Sequence, residues 1–393
     1  MGTNWARAWS ASLYGPGGFY VSGPGADQGP AGHFRTSVHV GAAFHRAVAR
    51  LLLQVDAELA RPEQLDLVDV GAGRGELVTG VLHELPAEMA SRVRPLCLDV
   101  RSRPRGLSDV IEWHDGVAPQ SLAAVRPLGV VGLMVAQEWL DDVPCDVVEI
   151  DAQGRPRLVL VEDDGREVLG PALDDGAGCA TYDVDADAIQ GWLQRWWPVA
   201  LPGARAEVGL PRDGAWAGLT AQLRAGTVVA IDYGHIRSGR LAGRYDAGTL
   251  SAYASGRQVD AVPDGRCDIT AHVAMDACAA AGRVGSDAVT LTRQRDALSE
   301  LGVRGTLPPR EQAVVDPAAY ADALQCASQG AELRDRAGLG AFWWLRVDRA
   351  AALTAAAAPT GWSGPGPGPS SPAGPGPGPA PGPAPRPGAA PPP

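Results

Sequence analysis

The stretch "LVDVGAGRG", from Leu67 to Gly75, places an acid and three glycines, Gly71, Gly73 and Gly75, behind an apolar run. A strand ending in alternate glycines turns tightly and lets backbone approach a ligand. Nucleotides, dinucleotides and S-adenosylmethionine (SAM) all use such a turn, so the glycines alone leave the ligand open. The acids around them narrow it. Asp69 lies two residues before Gly71. There it repels a pyrophosphate and suits the ammonium of an amino-acid moiety. Asp99 closes the next apolar run, 24 residues after Gly75. Its carboxylate can accept from two adjacent ribose hydroxyls. Asp115, in "WHDGV", is placed to accept from an adenine amino group. An ammonium, a ribose and an adenine without a phosphate favour SAM over NAD.

Composition removes other chemistries. The 393 residues include no lysine; all 34 basic residues are arginine. A P-loop lysine, a Schiff-base lysine and a kinase-type lysine are therefore excluded. The six cysteines form no Cys-x-x-Cys pair and the seven histidines are scattered, so no metal is expected. A net charge of -11 disfavours nucleic acid and suits a basic peptide. No apolar run reaches the length of a membrane span and the first residues carry no apolar signal core, which points to the cytoplasm. The oligomeric state is left open.

These residues need a frame. Short apolar runs at 65–71, 93–100, 109–113, 129–137, 226–234, 286–293 and 341–348 predict strands. Helical patterns fall at 39–59, 74–85 and 275–282. The alternation predicts an α/β fold, a doubly wound and mostly parallel sheet covered on both faces. Residues 1–38 form a cap segment. The core spans 39–144 and 226–350, interrupted by an insertion at 145–225 with a hairpin around "AQGR" and a Trp-rich helix. Trp192, Trp196 and Trp197 read as that helix's packing face, with an exposed docking surface as the alternative. The Pro/Gly-rich stretch 351–393 predicts a disordered tail with nothing to bury.

Seven motifs in order give the chain a family resemblance. "SLYGPGGFY" (12–20), "GHFRTSVHVG" (32–41), "LVDVGAGRG" (67–75) and "AQEWLDDVP" (136–144) resemble "LYHPEYGYY", "GDFYTSPEIS", "LVELGPGRG" and "ANEFFDALP" of the MidA family. "IDYGH" (231–235), "GTLSAY" (248–253) and "CDITAHV" (267–273) resemble its "IDYGY", "GTLRAY" and "QDLTAHV". The resemblance implies a class I SAM-dependent methyltransferase with a Rossmann-like sheet. Mitochondrial members of that family are protein-arginine methyltransferases that assist assembly of respiratory complex I. It implies SAM held by Thr36, Asp69, Gly71, Gly73, Gly75, Asp99 and Asp115. It also implies an acceptor nitrogen, in a protein or small molecule, held by Glu138 with Gln137 beside it, and His235 and His272 as the next candidates. Arg35 stands where the family has Tyr, Ala72 where it has Pro, and Gln137 where it has Asn. The alternative these departures raise is a SAM-binding assembly or regulatory protein without turnover.

Overall fold

The computed structural model describes residues 2–28, 36–285 and 287–351. Arg35 and the expected tail beyond Ala351 lie outside the described residues. The sheet has seven strands: β1 (Leu65–Val70), β2 (Val93–Asp99), β3 (Glu112–Asp115), β4 (Val130–Gln137), β5 (Leu223–Asp232), β6 (Ala288–Arg293) and β7 (Trp343–Arg349). Their order is β3-β2-β1-β4-β5-β7-β6. The first five are parallel, and β7 runs antiparallel between β5 and β6. Every residue of β1 is buried, because helices cover both faces of the sheet. This is why β1, β2, β4 and β5 read as continuous apolar runs rather than alternating ones.

Helices α2 (Ala42–Glu58) and α3 (Glu76–Glu84) pack on one face around Phe44, Leu52 and Val78. Helices α4 (Leu210–Ala221) and α5 (Met275–Ala281) cover the other around Trp216, Leu219 and Met275. The N-terminal helix α1 (Trp5–Tyr14) packs Trp5, Trp9 and Leu13 into a separate apolar cluster. The order in which strands are added to the sheet reverses between the parallel β1 and β4, which opens a crevice at their C-terminal ends.

Two element boundaries differ from the sequence reading. The helix expected over 39–59 is broken into Ser37–Val40 and Ala42–Glu58. Gly41 sits between them at φ 133°, and the amide of Ala43 donates to Gln329 Oε1 at 3.1 Å. The strand expected at 109–113 begins only at Glu112, because a turn from Ser108 to Ile111 precedes its pairing with β2.

Within 145–225 the hairpin forms as read, Val147–Ile150 against Pro156–Val161. Glu167–Ala172, Arg205–Glu207 and Thr3–Asn4 complete a second sheet. The helix Ala186–Trp196 buries Trp192, and Trp197 follows it into the same cluster while Trp196 is half-buried. The packing face is thus the outcome for this helix. Among the described residues no helix is long and apolar enough to cross a membrane.

Candidate functional site

A cavity of about 670 Å³ opens where the strand order reverses. Its first wall is the turn after β1. Gly71 and Gly73 have φ of 70° and 64°, in the region that residues with a Cβ avoid. Both line the cavity, as do Asp69, Thr36 and Asp99. Gly75, also left-handed at φ 79°, does not line it. A Cβ there would come within 2.9 Å of Leu107 Cδ1, so Gly75 is a packing residue at the start of α3. Asp115 is exposed and is not in the wall; its neighbours Gly116 and Val117 are.

Asp69 is 3% exposed. Burial pushes its carboxyl well above the usual carboxylate range, and Glu76 and Asp99 push it further. Such a group calls for a cation, which fits the ammonium of an amino-acid moiety. Asp99 is differently placed from the sequence expectation. Its Oδ2 accepts from the Gly73 amide at 2.8 Å and Arg101 Nη2 at 2.9 Å. Its Oδ1 accepts from the Arg101 amide at 2.9 Å and Arg101 Nε at 2.8 Å. Arg101 thus already holds the carboxylate assigned to a ribose. Thr36 Oγ1 is 2.8 Å from His39 Nδ1, and His39 pairs with Glu76 at 3.6 Å.

The opposite wall is carried by the loop after β4. Gln137 ends the strand. Glu138 follows at φ 48°, a strained conformation for a residue with a side chain, held by its amide donating to the Ile231 carbonyl at 2.8 Å. Strain at a cavity wall is retained where geometry matters to function. Gln137 Nε2 donates to Glu138 Oε1 at 2.7 Å. Burial pushes the Glu138 carboxyl up to about 8, with Asp141 adding to the shift and the Gln137 hydrogen bond opposing it.

Further acids follow. Asp141 Oδ2 accepts from Thr270 Oγ1 at 2.8 Å and from the Tyr233 hydroxyl. Asp142 Oδ2 and Asp268 Oδ2 both contact the Tyr20 hydroxyl, at 2.8 and 2.7 Å. Burial raises all three carboxyls, Asp268 to about 8. Two buried groups set this wall in place. Asp232, at the end of β5, accepts from the amides of Leu140 and Asp141 at 3.0 and 3.2 Å. Arg212 of α4 is 1% exposed and donates to the carbonyls of Asp141, Val143, Ala271 and His272. It ties the Glu138 loop to the segment bearing Asp268.

Tyr14, Tyr20, Asp141, Asp142, Tyr233 and Asp268 were not singled out in the sequence, although each stands inside a motif quoted for the resemblance. His235 and His272 do not line the cavity. His235 packs against Trp197 and Tyr245, and burial together with Arg240 lowers it to about 2. Neither is an acceptor clamp.

One wall is therefore backbone with two buried acids, Asp69 and the Arg101-paired Asp99, and the other consists of acids, phenols and the Gln137 amide. The first suits a zwitterionic amino-acid moiety and the second a ligand rich in N–H donors. Comparison with known proteins shows which cofactor the chain uses, S-adenosylmethionine. The family of S-adenosyl-L-methionine-dependent methyltransferases matches residues 47–292, more than half of the chain. No curated protein matches. A COG1565 superfamily member from Burkholderia thailandensis, bound to S-adenosyl-homocysteine, is 23% identical with a TM-score of 0.65. The match covers 89% of each chain. A native structure from the same organism is 22% identical at the same TM-score, covering 89% of this chain and 88% of that one. At these identities the two structures establish the fold.

Proposed function

The chain belongs to the MidA-like family of SAM-dependent methyltransferases, and we propose that it transfers the SAM methyl group to a guanidinium nitrogen of a protein arginine. The observation that carries the acceptor is the acid wall. Gln137, Glu138, Asp142 and Asp268 all line one cavity, and Gln137, Asp142 and Asp268 each hold a buried acceptor oxygen without a partner among the described residues; a guanidinium is a planar fork of five N–H donors with no acceptor. The family resemblance supplies the protein context.

The Gly71–Gly73 turn and Asp69 would hold the methionine portion of SAM, and Asp99 its ribose. When bound, SAM supplies a methyl already activated on a sulfonium sulfur. Glu138 pairs with the guanidinium through charge-assisted hydrogen bonds and fixes which nitrogen faces the methyl. Alignment of this kind can supply about 7–11 kcal/mol of the barrier. The nitrogen would take the methyl of bound SAM, the electron pair of the broken sulfur–methyl bond staying on sulfur. The nitrogen sheds a proton to the Glu138 carboxylate. The buried position that raises Glu138 suits it to accept that proton near neutral pH, once the guanidinium charge has drawn it into its ionised form.

The test is incubation with methyl-labelled SAM and a lysate from a strain deleted for this chain. Acid hydrolysis of the labelled protein should yield methylarginine. Label found only in methyl esters or on lysine would overturn the reading.

A further inference from the structure

The acid wall holds more acceptors than hydrogens. Tyr20 Oη lies 2.8 Å from Asp142 Oδ2 and 2.7 Å from Asp268 Oδ2. A phenol has one hydrogen and donates to one of them. The other contact, two oxygens at hydrogen-bond distance, is favourable only if that carboxyl carries a proton and donates to the phenol. Three side chains thus hold two hydrogens, the phenol's and one shared between the carboxyls. Asp142 Oδ1 and Asp268 Oδ1 are buried and take no hydrogen bond from the described residues. Asp268 is 3% exposed, and both residues line the cavity.

A second acceptor of different chemistry belongs to the lining of the same cavity. Gln137 is 8% exposed, its Nε2 is committed to Glu138, and its Oε1 is buried without a partner among the described residues. A proton can satisfy a carboxyl, but an amide carbonyl requires a donor from elsewhere. Gln137 therefore points to a ligand N–H in this part of the cavity.

Resting on the reading of the chain as an arginine methyltransferase, we propose that Tyr20, Asp142 and Asp268 form a cation-exchange subsite. An entering guanidinium replaces the shared proton, which leaves to solvent; one N–H takes over the carboxylate oxygen that the proton leaves beside Tyr20, and the others take the free carboxyl oxygens. The charge balances: the triad passes from one negative charge to two as one positive charge arrives. A neutral urea of the same shape would leave the proton in place, so the subsite selects for charge as well as shape.

The surroundings fix the pH at which this operates. Glu138 and Asp141 face the triad from the β4 loop, and Asp232 and Tyr233 from the end of β5. Tyr14 adds a phenol from α1, and the nearby cation is Arg101, whose guanidinium lies 5.5 Å from the Tyr20 ring centre. Acids outnumber cations, and with burial they hold the shared proton in place at neutral pH.

Titration calorimetry on the full chain, saturated with S-adenosyl-homocysteine, tests this with N-acetyl-arginine amide as the probe. Runs at pH 7 in buffers of different ionisation heat count the protons released. Wild type should release at least about one, with affinity rising about tenfold per pH unit between pH 6 and 7. Glu138 also titrates, so the diagnostic quantity is the difference from Asp142→Asn. That variant should release about one proton fewer, with unchanged S-adenosyl-homocysteine affinity marking an intact fold. Binding without proton release in wild type, or an undiminished release in Asp142→Asn, overturns the triad and leaves the proposed function standing. A probe that does not bind while S-adenosyl-homocysteine does overturns both.

Discussion

At the glycine turn the cavity wall is a single continuous piece of backbone, Gly71 to Gly73, backed by two buried acids, Asp69 and Asp99. Across from it the wall is side chain, and its members come from α1 and the turn after it, the β4 loop, the end of β5 and the segment around Asp268. The backbone wall is fixed by φ angles that only glycine adopts freely, with the Gly73 amide tied to Asp99. The acid wall is fixed by Arg212 and Asp232 behind it. Its charges lie close enough to raise one another, so its affinity for a ligand and its stability both depend on pH. A ligand can be held by shape at one end and by charge at the other, and the two ends should fail separately.

The largest effect that separates them is Glu138→Gln. The variant keeps the side chain's shape and a partner for Gln137 but loses the carboxylate. Methyl transfer should fall by a factor on the order of 100 or more, as for loss of a group that stabilises transition-state charge. S-adenosyl-homocysteine affinity by calorimetry should stay near wild type. Loss of both together would place Glu138 in the cofactor site and break the division between the ends.

Gly73→Val makes the converse change. A branched side chain at φ 64° is strained by roughly 1–2 kcal/mol or more, and it intrudes on the cavity. SAM affinity should drop at least about tenfold, while binding of N-acetyl-arginine amide to the acid wall persists. Unchanged SAM affinity would show that this turn does not hold the cofactor.

The division also explains what the sequence disclosed. The buried strands and the Gly71–Gly73 turn are legible because their determinants are local: apolar runs, and glycines next to an acid. The acid wall is not local. Tyr20 meets Asp142 across 122 residues and Asp268 across 248, and no spacing rule links them. The broken helix at Gly41 has the same origin, since its stabilising partner Gln329 is 286 residues from Ala43. Asp115 differs for another reason: it is the last residue of the edge strand β3 and is exposed, and nothing in the local sequence says whether a residue there turns toward the cavity. Gly75 shows that a glycine in a binding motif can answer to Leu107 rather than to a ligand.

Stability against pH measures the price of the acid wall. Glu138 and Asp268 stand near 8 in the folded chain, far above ordinary carboxylates. Folded molecules therefore bind more protons than unfolded ones between about pH 4.5 and 8, and stability must fall as pH rises through that window. The Tm should be several degrees lower at pH 8 than at pH 5.5, with a flatter slope in Asp268→Asn. A Tm that rises across the window would show these carboxyls ionised without strain, and the contrast between the two walls would be lost.

The smallest effect concerns the acid that hydrogen-bonds the backbone wall directly. Asp99 accepts from four donors, two on each oxygen. A carboxylate has about four acceptor positions, so ribose hydroxyls can reach it only by displacing part of Arg101. Arg101→Ala removes the Nε and Nη2 contacts and frees one position on each oxygen, which matches two adjacent hydroxyls. The Asp99 and Arg101 side chains are 4% and 11% exposed, so removing the guanidinium leaves a buried charge in the free protein. The Tm of the ligand-free variant should therefore fall by several degrees. Ribose hydroxyls would then meet an unpaired carboxylate, and S-adenosyl-homocysteine affinity should rise about 3–10-fold, or roughly 1 kcal/mol. Calorimetry and thermal melts on the same sample read both quantities. A lower Tm with unchanged or weaker affinity would show that Arg101 and the ribose do not compete, and that Asp99 serves to hold the Gly73 turn in shape rather than to hold the cofactor.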